Sequence, residues 1–127
     1  MKLVKYLGLY VLVMMPFIQA KVRIVNDTHY PLKVTYYWYG GKGYFQTPII
    51  GPDGKEHTDY SDGASCKYNY IVDALIEGRW ERVYHARERN KNYIACGNRK
   101  ITVYTRQQED EYGTSEIFDI ADKLTFF

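Results

Sequence analysis

Two cysteines are all the chain has, and no Cys-x-x-Cys pair is among them, so neither a redox motif nor a four-cysteine zinc cage is encoded. Histidine is equally sparse: His29, His57 and His85 fall on three separate segments. Gly-x-Ser-x-Gly, His-Glu-x-x-His and the phosphate-cradling Gly-x-x-x-x-Gly-Lys are all absent, and with them the local signatures of several hydrolase and nucleotide-binding classes. Excess charge is missing too. The first twenty residues contain Lys2 and Lys5, and without them fifteen basic residues face fifteen acidic ones. A neutral domain is poorly suited to nucleic acid, whose binding depends on surplus Lys and Arg. No cofactor fingerprint occurs.

The stretch Tyr6–Ile18 is thirteen residues without a charge, short of the roughly 20 apolar residues a membrane-spanning helix needs. It follows two lysines, is interrupted by Pro16 and ends at Ala20, which is the pattern of a cleaved signal peptide over residues 1–20. The remaining 107 residues, Lys21–Phe127, suit one exported domain, secreted or periplasmic. In an oxidising compartment Cys66 and Cys96 are expected to form one disulfide. Closing a loop of that length contributes on the order of 3–4 kcal/mol by the chain-entropy model.

Period-two alternation dominates what is left. In Lys21–Asn26, Val22 and Ile24 oppose Lys21 and Arg23; in Leu32–Tyr39, Leu32, Val34, Tyr36 and Trp38 share one face. Gly40–Gly43 suits a hairpin loop, Tyr44–Ile50 a returning strand broken by Pro48, and Gly51-Pro-Asp-Gly54 a tight turn. Lys55–Tyr60 is short and polar. Cys66–Leu75 is expected to point Cys66, Tyr68, Tyr70, Val72 and Ala74 to one side. In Trp80–Arg87 either phase is possible, and Tyr93–Cys96 and Lys100–Arg106 follow. Gln107–Ser115 reads as an acidic loop, and the last twelve residues fit a strand slightly better than a helix. Val22–Asn26 and Leu32–Tyr36 resemble the opening strands of small exported bacterial β-domains, and no functional residue carries over from that likeness. Seven or eight short strands with turns every 8–12 residues predict an all-β antiparallel sandwich or small barrel with one disulfide.

Aromatic residues are the distinctive excess: twelve tyrosines, two tryptophans and four phenylalanines lie after residue 20. Tyr37, Tyr39 and Tyr44 are predicted to share a surface beside the glycine loop, where tyrosine anchors a protein interface well. Arg79–Lys91 carries five basic residues, Arg82 and Arg87 among them, and Gln107–Asp122 carries six acidic ones with no basic residue. These segments would orient a partner, or else face one another. The leading expectation is therefore an exported, non-enzymatic binding domain (inhibitor, immunity factor, effector or envelope accessory) whose partner is another protein. A carbohydrate-binding module is one alternative. The other is an RNase-like hydrolase with His57 and His85 as acid and base, Glu81 in phase with His85, and Arg82 on the phosphate. Asp53, Glu56, Asp59 and Asp62 offer oxygens to calcium without the tight loop spacing that such a site uses. Asn26-Asp27-Thr28 is the one Asn-x-Thr sequon, a glycan site or simply a turn.

Overall fold

The structure, a computed structural model, describes residues 20–38, 43–61, 66–91 and 94–124. Residues 1–19, expected to belong to a signal peptide, lie outside the described residues, as do Tyr39 and Asp62. Nine strands are present among those described: β1 (Ala20–Asp27), β2 (Leu32–Trp38), β3 (Tyr44–Gln46), β4 (Lys55–Ser61), β5 (Cys66–Ile76), β6 (Arg79–His85), β7 (Ala95–Cys96), β8 (Arg99–Asp110) and β9 (Gly113–Leu124). They form two sheets, β4-β1-β8-β9 and β3-β2-β5-β6, with β7 paired to β5. All pairings are antiparallel except β1 with β8. The inner faces meet over one core: Val22, Ile24, Ile101, Val103 and Phe118 from the first sheet, and Leu32, Val34, Tyr36, Tyr70, Val72, Ala74 and Tyr84 from the second. The predicted all-β class and the disulfide, Cys66 to Cys96 across directly opposed positions of β5 and β7, are both present.

Three segments sharpen the sequence reading or depart from it. The polar Lys55–Ser61 stretch is an edge strand, paired over seven positions with β1. Pro48 shortens the returning strand to Tyr44–Gln46. Thr47 then bridges the break, its amide donating to the Val34 carbonyl and its hydroxyl accepting from the Val34 amide. The acidic Gln107–Ser115 segment is no loop. It is the distal half of a twelve-rung hairpin, with Asp110 paired to Gly113 around a two-residue turn.

Two bulges decide which residues face the core. In β5, Thr35 pairs with Ile71 but Tyr37 pairs with Tyr68, so Tyr36 faces two residues, and Asn69 takes the left-handed backbone (φ 54°) that asparagine tolerates better than most residues. Lys67 therefore turns inward while Cys66 and Tyr68 turn outward, correcting the expectation that these two share a face with Tyr70. In β6, Val72 pairs with Tyr84 but Asp73 with Arg82, leaving Val83 as the extra residue. That is why Trp80–Arg87 showed no single phase.

Asn26, at the end of β1, is fully buried. Its amide nitrogen donates to the carbonyls of Tyr30, Ile50 and Gly51, and its side-chain oxygen accepts from the Thr28 amide and hydroxyl. The backbone carbonyl of Asn26 accepts from Gly54, whose φ of 89° suits glycine. One side chain thus holds the β1–β2 link against the β3–β4 turn. Those bonds leave no room for a glycan on the Asn26 amide nitrogen in this fold, so the sequon is a turn.

Asn26→Ala strips bonds from several buried groups at once, each worth about 1 kcal/mol net. It is expected to lower unfolding stability by about 2–4 kcal/mol in urea titration. A loss below about 1 kcal/mol would show that the turn holds itself.

Candidate interaction site

The outer face of the second sheet carries the aromatic surface. Antiparallel register places Tyr44 of β3, Tyr37 of β2 and Tyr68 of β5 in one row across three strands. Their ring centroids are 5.9 Å (Tyr44–Tyr37) and 6.0 Å (Tyr37–Tyr68) apart, with tilts of 49° and 48°. Tyr44 is 68% exposed, and Tyr37 and Tyr68 are half-buried. Next to Tyr68, Ile94 precedes β7, whose Ala95 pairs with Lys67, and is 47% exposed. Two of the three predicted tyrosines, Tyr37 and Tyr44, are thus brought together. Tyr68 is the residue that sequence reasoning missed. Its signal was Asn69, a polar residue that accepts left-handed backbone in the middle of an apolar strand.

On the inner face the same strands behave differently. Tyr36 stacks its edge against Trp38 at 5.8 Å and lies 5.4 Å from Phe45 and 5.9 Å from Tyr70. The Lys67 ammonium, although 2% exposed, lies 4.8 Å from the centre of the Trp38 ring and 5.6 Å from that of Tyr36. The Tyr36 hydroxyl donates to the Asp59 carboxylate on β4. Burial first, and then that neighbouring carboxylate, push the phenol far above its ordinary pKa, so it stays a donor that ties the second sheet to the edge of the first.

The charged residues are dispersed. Arg82 pairs with Asp73 at 3.7 Å, in the row of Lys33, four residues along β2 from Tyr37 and therefore roughly 13 Å from the tyrosine row. Arg87 is exposed in the turn after β6. His57 stacks on Phe45 at 6.2 Å between the two sheets. His85 lies on β6, at the opposite end of the second sheet from β3, with Nδ1 3.2 Å from Glu88 but not aligned for a hydrogen bond. The β6 bulge puts Glu81, opposite Ala74, on the other face of the strand from His85, opposite Ile71. The structure therefore does not bring His57, His85 and Glu81 into one cleft. Asp53 contacts His29, Glu56 contacts Arg23 and Asp59 contacts Tyr36. Among the described residues no three metal-capable side chains cluster.

The basic and acidic segments do meet, at the base of the β8–β9 hairpin. Arg89 donates to the Phe118 carbonyl on β9 and the Val83 carbonyl on β6, and its guanidinium lies 4.8 Å from the centre of the Tyr84 ring. Asp119, nearly buried, accepts from Lys91 and Arg106 at 3.4 Å each. Burial alone would raise its carboxyl pKa. The Ile120 amide, Lys91 and Arg106 outweigh that and hold it below the usual value.

No family model matches the chain, and no curated protein matches it. Solved structures give a distant likeness. The human-specific toxin intermedilysin aligns at a TM-score of 0.43 and 14% identity, over 85% of this chain and 24% of the toxin. A structure described as "Trapped Toxin" aligns at 0.40 and 12%, over 84% of this chain and 23% of that one. The chain thus spans under a quarter of the length of either protein, and neither likeness assigns a role to any residue. The disulfide fits an extracytoplasmic setting, and among the described residues no helix is long and apolar enough to cross a membrane.

Because the folded Asp119 pKa lies below its unfolded value, its pairing stabilises the fold above pH ~4 and that contribution is lost as pH falls through the folded pKa. Asp119→Asn is expected to flatten the acid limb of a stability–pH curve below about pH 5. An unchanged acid limb would assign the acid sensitivity to other carboxylates.

Proposed function

We propose that the chain is an exported, non-enzymatic binding domain, secreted or periplasmic, that engages another protein through the row Tyr44–Tyr37–Tyr68. The observation that carries this reading is Tyr44 itself: a large ring 68% exposed on a sheet face, continued by two more rings at 6 Å spacing. Tyrosine gives such a surface much apolar area at low entropic cost, with a hydroxyl that stays satisfied at a wet rim. The tilts near 50° favour a protein over a glycan, because a sugar ring stacks best on rings that present one flat platform. Tyr39, expected on this surface from its phase in the sequence, lies outside the described residues. Arg82 and Arg87 would act at a distance, as steering charges rather than contacts.

The test is affinity capture by the oxidised chain from extracts of its source, comparing wild type, Tyr44→Ala and the opposite-sheet control Lys123→Ala. Tyr44→Ala is expected to weaken capture of the enriched partner about tenfold or more, with little change in melting temperature. Capture that survives Tyr44→Ala but falls with Lys123→Ala would move the contact to the other sheet.

A further inference from the structure

Among the described residues, the distal half of the β8–β9 hairpin has no partner strand other than itself. β1 accompanies β8 only as far as Tyr104, and from Arg106–Ile117 to Asp110–Gly113 five rungs continue as a two-stranded ribbon. At strand rise this is an arm roughly 17 Å long. Residues 106–116 are all exposed, and Tyr112, in the turn at the tip, is 95% exposed. A lone two-stranded hairpin is marginal in water. Here the root is fixed on three sides. Arg89 holds the β9 edge at Phe118, Lys91 and Arg106 hold Asp119, and the Tyr30 ring lies 5.5 Å from Phe118, with Glu116 beside its hydroxyl. Clamped at the base and bare at the tip, the arm is preorganised to reach away from the sandwich.

Its chemistry narrows what it can meet. Glu109, Asp110 and Glu111 surround Tyr112, and no basic residue occurs between Gln107 and Asp122. Nucleic acid and anionic lipid are repelled by that charge. A second arm brings the same carboxylates against one another, which opposes edge-to-edge pairing of two copies. Among the described residues no group of three His, Cys, Asp or Glu side chains that could hold a metal ion occurs. Negative charge around one exposed ring fits a cleft that is positive at its rim and can enclose a tyrosine.

From these features we infer that the β8–β9 arm is a second docking element, separate from the tyrosine row, that inserts Tyr112 into a Lys/Arg-rimmed cleft of a protein partner. The experiment is photo-crosslinking in the source organism, using the full chain with p-benzoylphenylalanine in place of Gln108, and in place of Lys123 as control. A crosslink from position 108 to one protein, mapped to a surface rich in Lys and Arg, is expected, with none from position 123. Yield should fall at least tenfold with Glu109→Lys/Asp110→Lys/Glu111→Lys, fall similarly with Tyr112→Ala, and persist with Tyr44→Ala if the two surfaces act separately. The inference is overturned by no crosslink, by a second copy or a lipid as the product, by a mapped surface without surplus basic residues, or by full yield in the charge-reversed arm. Loss with Tyr44→Ala alone would return the contact to the tyrosine row.

Discussion

The extra residue at Asn69 in β5 sets the character of both faces of the second sheet. β5 is an interior strand of that sheet, bonded to β2, β6 and β7, so a one-residue change of phase within it changes which of its side chains face the core. On one side of the bulge the apolar Tyr70, Val72 and Ala74 point to the core. On the other, Lys67 takes the inward position and Tyr68 is released to the surface beside Tyr37. A regular strand would have buried Tyr68 and exposed Lys67, leaving two rings in the outer row instead of three. The cost is a buried ammonium, which the faces of Tyr36 and Trp38 help to offset.

A sandwich whose sheets touch mainly through side chains needs its edges secured, and polar groups accomplish this here. At one edge the Tyr36 hydroxyl on Asp59 and the Phe45–His57 stack join β2 and β3 to β4. At the other, Arg89 reaches from the turn after β6 to both β6 and β9. At one end Asn26 gathers three carbonyls and a threonine into one knot. Tyr36 and Asn26 are buried with their bonds made, the condition under which a polar group inside a fold stabilises rather than costs. These side chains serve structure, and they account for His57 and for much of the acidic and basic sequence that otherwise suggests chemistry.

Surface features then stand out by contrast. The tyrosine row lies flush on a sheet, while the acidic arm projects from the other sheet, anchored by the basic segment that complements it. Both present tyrosine, one supported by neighbouring rings and the other isolated among carboxylates. The first suits broad contact with a protein face and the second insertion into a recess.

Alternation by itself determined the all-β class, the inward faces of β1 and β2, and the outward pairing of Tyr37 with Tyr44, because period two and glycine turns are local properties. The disulfide followed from the cysteine count and the expectation of an oxidising compartment. What alternation could not convey was any change of phase: the bulges at Asn69 and Val83 depend on how β5 pairs with β2 and with β6, so Tyr68 was misplaced and Glu81 was wrongly set beside His85. Nor could it tell the acidic ribbon from a loop, since Gln107–Ser115 lacks an apolar face and becomes strand through continuous pairing with its own other half, rooted by Arg89, Lys91 and Tyr30. Local composition specifies which residues can be strand. Non-local hydrogen bonding decides in what register they pair, and register decides which side chains meet.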